Sequence, residues 1–328
     1  MRALSQEQDA RRADLPARSA AAFAPAGISN FFAISYDDSR SAIGATGGGY
    51  VLSKGVTTRA RVLPNGDRSV ATTVNGDPNY NARTTRRAVS LLAKETGSSF
   101  GLLALEQEVD VPIGSGFGAS AASAISAVFA VGEALGLKLS KEELAMFAHR
   151  AEIAEQTGLG TVSVTFDAVG AGAIVKPGVP GEAVFTNVKV PKGFRVVTAY
   201  LAPFDKKDAF SSRSLMEKIN VLGDHSLASF VADPTLDNLA EQGEWFSANL
   251  GLESREVKKL ISIAKKAGAT HASQNMIGHS IHALSDEDSS LEVARVIGEL
   301  GVPARVGVYE VGKKKAGLVE ATRRRRAS

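Results

Sequence analysis

Three glycines alternate with other residues in the segment Pro112-Ile-Gly-Ser-Gly-Phe-Gly-Ala-Ser-Ala-Ala122. Glycine adopts backbone conformations that other residues avoid, so such a loop can wrap closely around a bound anion. A run of small residues follows from Ala119, and the first N–H groups of a helix there would point toward the loop with the positive end of the helix dipole. The segment therefore predicts a phosphate-binding loop. The hydroxyls of Ser115, Ser120 and Ser123 would add hydrogen-bond donors or oxygen ligands for Mg²⁺.

Other glycine-rich motifs fit this segment less well. It is not a Walker A loop, since no Lys followed by Ser or Thr closes it, and it does not match the Rossmann fingerprint of nicotinamide enzymes. The alternative that stays open is a glycine-rich connector leading into a small-residue helix packed against a sheet.

The pattern Pro-x-x-x-Gly-x-Gly-x-Ser-Ala-Ala over residues 112–122 resembles the phosphate-binding motif of the GHMP kinases, the superfamily of homoserine, mevalonate and galactose kinases. The resemblance implies an α+β fold of two domains with the phosphate-binding loop between a strand and a helix. It also implies ATP and Mg²⁺ as cofactors. The residues that would contact the nucleotide are Pro112, Gly114, Ser115, Gly116, Gly118, Ala119, Ser120 and Ala121.

Further segments resemble the pantoate kinases, a family within this superfamily, so that the resemblance spans residues 22–310. The matching segments are 23–32, 39–41 with 52–56, 148–153, 157–160, 172–174, 177–181 and 268–284. The family implies phosphorylation of pantoate to 4-phosphopantoate, a step toward coenzyme A. The first segment implies Ser29 as a substrate contact, and the last implies a substrate-facing loop.

The chain departs from the family pattern at several positions. Gly27 stands where the family usually has His, and His279 and His282 stand where Asn and Phe are usual. Thr161 replaces the Asp of Gly-Leu-Gly-Asp-Val, which is the family's candidate base. Asp167 would substitute for that base only if the chain folds back.

Two side chains are candidates for holding Mg²⁺. Phosphoryl transfer needs its charge neutralised, and a hard cation prefers carboxylate and hydroxyl oxygens, which Glu152 and Ser120 supply. These two residues, together with Thr161 at the position of the family's candidate base, are the predicted catalytic residues. The alternative for Glu152 is a surface position on a helix.

Arginine and histidine side chains are candidate ligands of the substrate or of a metal. A guanidinium binds a carboxylate through two hydrogen bonds, so Arg40 and Arg150 are candidates for the pantoate carboxylate, with solvated surface positions as the alternative. His271, His279 and His282 lack a carboxylate companion, which favours packing or hydrogen bonding over a zinc site.

The elements that must position these residues follow from periodicity and capping signals. Ser140 and Glu143 predict a capping box that opens a helix reaching about Glu155. Other helices are predicted over 81–95, 119–135, 211–231, 235–250 and 254–267. Strands are predicted over 102–111, 183–201 and 304–311, with short strands and tight turns over 23–58. The predicted divisions are a flexible extension (1–20), an ATP-binding domain (21–187), a C-terminal domain (188–318) and a basic tail (319–328).

Composition limits the class of partner. The net charge of +3 is concentrated in Arg323–Arg326 and in the first 20 residues, so the rest of the chain is close to neutral and no nucleic-acid partner is predicted. The chain has no cysteine and no long apolar run, which favours a reducing cytoplasm and no membrane association. The predicted partners are ATP and a small molecule, and a homodimer is open as an assembly. Alternative functions are a kinase for homoserine or mevalonate and a non-catalytic nucleotide or metabolite sensor.

Overall fold

A computed structural model of the chain describes residues 18–36, 42–64, 67–158, 160–202, 212–301 and 304–320. Its strands are β1 Arg18–Tyr36, β2 Ala42–Leu63, β3 Ser69–Val74, β4 Leu102–Val109, β5 Ala171–Lys176, β6 Val184–Val188, β7 Arg195–Ala202, β8 His271–Gln274, β9 His279–Ser285, β10 Arg305–Glu310 and β11 Gly317–Val319. Its helices are α1 Arg83–Glu95, α2 Ala119–Leu135, α3 Lys141–Ala154, α4 Thr161–Asp167, α5 Arg213–Ala232, α6 Leu236–Leu250, α7 Arg255–Lys266 and α8 Glu287–Gly298. The mixed content confirms the α+β class.

The larger sheet is built around a long antiparallel pair, β1 and β2. Its strand order is β11-β1-β2-β4-β3, with β5 paired to β2 and β6 to β5. The prediction of strands within residues 23–58 is therefore confirmed, but these strands are long, and the tight turn predicted at residues 47–49 is wrong because they lie within β2. The glycines in β2 mark close approach of the two strands, because a Cβ on Gly49 would collide with the Ile28 carbonyl oxygen.

Helix α2 packs across β1 and β2 and carries the phosphate-binding segment at its first turn. Its small and apolar residues are buried on nearly every side, as expected for a helix in the middle of a core. Helix α3 packs beside it and begins with the predicted capping box, in which Ser140 and Glu143 each accept a hydrogen bond from the other's backbone N–H.

The smaller sheet has the order β10-β7-β9-β8, and α7 and α8 cover it with a separate apolar cluster. The predicted substrate-facing loop over 268–284 is wrong for most of its length, because β8 and β9 form a hairpin there. Its turn, residues 275–278, and Ser280 just after it contact the phosphate-binding segment. Helices α5 and α6 pack against β1, α6 also contacts β8 of the smaller sheet, and Gly243 of α6 allows close packing against Asn30 of β1.

The division predicted between residues 187 and 188 falls at the last residue of β6. Strands β6 and β7 lie in different sheets, and β11 then returns to the first sheet. The predicted extension 1–20 is wrong at its end, because Arg18–Ala20 begin β1, and residues 1–17 lie outside the described part. Val319 belongs to β11, and Arg323–Arg326 also lie outside it. Among the described helices, none is long and apolar enough to cross a membrane.

Candidate active site

The glycine-rich segment forms a loop of the kind predicted for anion binding. Gly114, Gly116 and Gly118 have φ values of 85°, 84° and 66°, in the left-handed region where a side chain is strained. Gly118 caps α2 without any side-chain hydrogen bond, and the first intrahelical donor is the N–H of Ala122, which bonds the Gly118 carbonyl at 3.1 Å. The preceding N–H groups at the positive end of this helix are therefore available to an anion.

A cavity of about 320 Å³ opens over this loop. It extends from Val74 and Tyr80 on one side to Thr161 and Met276 on the other. Its wall contains many of the predicted site residues, namely Ser29, Gly114, Ser115, Gly116, Gly118, Ala119, Ser120, Ala121, Glu152 and Thr161. Pro112 is not part of this wall and lines a neighbouring groove with Tyr200 and Arg305.

Glu152 lies at the bottom of the cavity with 1% of its surface exposed. Its Oε2 accepts a hydrogen bond from the Val162 N–H at 3.2 Å, so the carboxylate caps the first turn of α4. A Cβ on Gly158 would collide with the other carboxylate oxygen and lie 2.7 Å from Thr161 Oγ1, so both oxygens face the backbone of Gly158. The alternative of a surface position for Glu152 is therefore wrong.

A second, smaller cavity of about 90 Å³ adjoins the first. Gly27, Ser29, Thr161 and Met276 line both cavities, so these residues lie at the boundary between them, which we call the passage. The rest of its wall comes from the middle of β1 and β2, from α4 and from β5, and it is largely apolar. No charged side chain lines it among the described residues.

Comparisons with known proteins agree with this geometry. The model of the GHMP kinases N terminal domain matches residues 83–168, which include the loop, Glu152 and Thr161. A pantoate kinase from Methanospirillum hungatei is 27% identical over 80% of this chain and 86% of its own length. One from Thermococcus kodakarensis is 25% identical over 90% and 97%. A solved structure titled as a phosphotransferase related to the CoA biosynthesis pathway superposes with a TM-score of 0.80 at 24% identity, over 92% of this chain and 98% of that one.

Residues 83–168 therefore form a GHMP kinase N-terminal domain. Its phosphate-binding loop is held by neighbouring backbone as well as by its own glycines: the Gly27 N–H donates to the Phe117 carbonyl at 3.1 Å. The Ser115 hydroxyl donates to the Ala202 carbonyl at 2.7 Å and is buried. The expectation that this hydroxyl serves as a donor to phosphate is therefore wrong, because its proton is already used to tie the loop to β7.

Of the two arginines predicted to bind the substrate carboxylate, only Arg150 lies in the described part of the chain. Arg150 forms a bidentate pair with Glu95 at 2.8 and 2.6 Å on the exposed side of α3, and it lines neither cavity. Its assignment to the substrate carboxylate is wrong, because its guanidinium points away from the site. Arg40 lies in residues 37–41, outside the described residues, and stays a prediction.

Asp167 does not replace the missing base. It ends α4, accepts a hydrogen bond from the Gly181 N–H at 2.9 Å, lies 3.6 Å from the Lys315 ammonium, and lines neither cavity. In the described part of the chain, no group of His, Cys, Asp and Glu side chains is arranged to bind a metal ion. His271, His279 and His282 therefore do not form such a site.

Sequence reasoning missed Gln107, which lines the larger cavity beneath α2. Its Nε2 donates to Thr58 Oγ1 at 2.8 Å and to the Ser123 carbonyl at 3.0 Å, and its Oε1 accepts from Thr85 Oγ1. It thereby joins the first turns of α1 and α2 to the sheet. The sequence pattern of β4 marks this residue. Its inward-facing series is Leu103, Leu105, Gln107 and Val109, in which Gln107 is the one polar residue.

Proposed function

We propose that this protein is an ATP-dependent kinase that transfers the γ-phosphoryl group of ATP to the 4-hydroxyl of pantoate. The observation that carries the proposal is the passage between the two cavities, with the anion-binding loop on one side and an apolar pocket on the other. In such an arrangement ATP occupies the larger cavity with its phosphates at the start of α2. The acceptor enters from the smaller cavity, and its hydroxyl meets the γ-phosphate at Thr161.

The polar groups around the passage fit a magnesium nucleotide. The Glu152 carboxylate and the Ser120 hydroxyl line the same cavity and are hard oxygen ligands of the kind that Mg²⁺ prefers. When bound there, Mg²⁺ would neutralise charge on the phosphate oxygens. Because Glu152 also caps α4, the same side chain would set the position of Thr161 relative to the metal ligands.

The proposed phosphoryl transfer does not require Thr161 to act as a base. In a loose transition state little negative charge develops on the attacking oxygen, so the acceptor hydroxyl can bond to the γ-phosphorus as the bridging oxygen leaves with ADP. The proton of the acceptor hydroxyl then passes to a phosphate oxygen or to solvent. The supported mechanism is therefore positioning and charge neutralisation without a carboxylate base, with Thr161 shaping the passage.

The acceptor pocket favours a small molecule with an apolar body, and pantoate carries two methyl groups on its central carbon. Relatives named pantoate kinase cover most of the chain, which supports the same choice. No cationic side chain among the described residues lines the pocket, so the proposal assigns the pantoate carboxylate to Arg40, from the segment that joins β1 to β2.

The test is ADP release with pantoate, mevalonate or homoserine as acceptor, at saturating ATP and Mg²⁺. Pantoate should give the largest kcat/KM, and phosphorus NMR should find a new phosphate monoester on its primary hydroxyl. A preference for another acceptor would reassign the substrate. Binding of ATP without any turnover would favour the sensor alternative.

A further inference from the structure

The turn between β8 and β9, residues 275–278, supports the outer side of the phosphate-binding loop. A Cβ on Gly116 would lie only 3.0 Å from the Asn275 carbonyl oxygen, so the two backbones are in direct contact. Ser280, just after the turn, donates its hydroxyl proton to the Ser115 carbonyl at 2.7 Å. The position of the loop therefore depends on the position of this turn.

The same turn reaches the acceptor side. The Met276 N–H donates to the Ser29 carbonyl at 3.2 Å, and both residues line the passage between the two cavities. Met276 has a φ of 51°, which residues other than glycine adopt uncommonly. A strained residue of this kind persists where surrounding contacts hold it.

His282 supplies such a contact from β9. Its Nδ1 lies 2.7 Å from Asn275 Oδ1 and its Nε2 lies 3.2 Å from Ser273 Oγ, and all three side chains are buried. Burial lowers the pKa of His282 to about 3, so the imidazole is neutral and one ring nitrogen carries the proton. Because the amide oxygen can only accept, Nδ1 donates to Asn275, and Nε2 accepts from the Ser273 hydroxyl. The edge of the ring also packs on Tyr50 at 5.6 Å between centroids.

We propose that His282 is a positioning residue that acts through Asn275, holding the 275–278 turn against both the phosphate-binding loop and Ser29. It lines neither cavity and so does not contact the reacting atoms. Its hydrogen bond to Asn275 sets the distance between the γ-phosphate and the acceptor hydroxyl. This inference rests on the proposed kinase function.

The test compares His282→Phe, Asn275→Ala and the double variant with the wild type. Phe keeps an aromatic ring and removes both nitrogens. Since a displacement of about 1 Å can cost on the order of a hundredfold in rate, each single variant should lose tenfold or more in kcat, with KM for ATP and pantoate changed far less. The double variant should lose no more than either single one, because both break the same bond. His282→Asn, whose amide nitrogen can replace Nδ1 as donor, should recover most of the rate.

His271→Phe is the matched control on the same hairpin. His271 contacts Glu244 at 3.5 Å and lies away from the turn, so its loss should lower stability and leave kcat within about twofold. Hydrogen exchange provides a readout that does not need the acceptor. In His282→Phe, the hydrogen-bonded amides of Asn275, Met276 and Gly278 in the turn, and of Gly27, which bonds the loop at Phe117, should exchange at least tenfold faster. The amides of residues 57–61 in β2 should not change.

Two results would overturn the inference. One is a folded His282→Phe protein with wild-type kcat, and the other is unchanged exchange at the amides of Gly27, Asn275, Met276 and Gly278. Losses that add in the double variant would also contradict it, since they would mean that the two residues act separately. If the wild type phosphorylates no acceptor, the proposed function fails instead, and the exchange measurement still decides whether His282 holds the loop.

Discussion

Glu152 has two proposed roles, as a magnesium ligand and as the cap of α4, and two substitutions separate them. As a metal ligand its charge matters, whereas as the cap of α4 only an acceptor for the Val162 N–H is needed. Glu152→Gln removes the charge and keeps an oxygen that can accept this hydrogen bond. Glu152→Ala removes both. The pair therefore distinguishes loss of charge neutralisation from loss of local structure.

The expected magnitudes follow from the surroundings of Glu152. Loss of an electrostatic group that stabilises the transferring phosphate costs on the order of a hundredfold in kcat, or about 2.7 kcal/mol. Glu152→Gln should show this loss with a change in unfolding free energy below about 1 kcal/mol. Glu152→Ala should show at least the same kinetic loss. It also leaves the buried Val162 N–H without a partner, which costs about 1–3 kcal/mol of stability before any effect of the space left behind.

Steady-state kinetics over a range of Mg²⁺ concentrations, with urea unfolding of each variant, measures both quantities. Ser120→Ala should give a kinetic loss similar to that of Glu152→Gln. If Glu152→Gln keeps kcat within about fivefold of the wild type at every Mg²⁺ concentration, the metal role is wrong. If Glu152→Ala is as stable as Glu152→Gln, the capping role is wrong.

Three further predictions concern other residues. Thr161→Ala should cost about tenfold or less in kcat, because no base is required; a loss as large as that of Glu152→Ala would contradict the base-free mechanism. Arg40→Ala should raise KM for pantoate at least tenfold, while Arg150→Ala, which breaks only a surface ion pair, should leave both kinetic constants unchanged; the reverse result would restore Arg150 to the site. The hydrogen bond to Glu244 raises the pKa of His271 in the folded protein. Protonated His271 therefore stabilises the fold fully below its ordinary pKa of 6.5, and this stabilisation is lost as the pH rises through the raised pKa of the folded state. Between pH 5.5 and 8.5 the wild type should therefore lose more unfolding free energy than His271→Phe, and equal losses would refute this.

Features encoded by short stretches of sequence were predicted closely. The helix from Ala119 to Leu135 and the capping box at Ser140 depend on neighbouring residues alone, and the structure confirms both. The glycines of β2 misled the prediction, because glycine marks turns as well as sites where strands approach closely. In the folded chain Gly49 serves the second purpose, since the Ile28 carbonyl leaves no room for a side chain.

Features that depend on tertiary neighbours were not available to sequence reasoning. Arg150 and Glu152 are two residues apart on α3, and periodicity alone does not say which faces the core. Glu152 is turned inward by its hydrogen bond to α4, a helix that was not predicted. The pairing of His282 with Asn275 likewise requires a hairpin that sequence patterns did not reveal.

The most direct test of the proposed function is ADP release by the purified wild-type protein with ATP, Mg²⁺ and pantoate, measured in a coupled assay. We expect steady turnover that requires pantoate, saturates with its concentration and stops when Mg²⁺ is chelated. No pantoate-dependent ADP release above the rate without acceptor, from protein that still binds Mg²⁺-ATP, would contradict it.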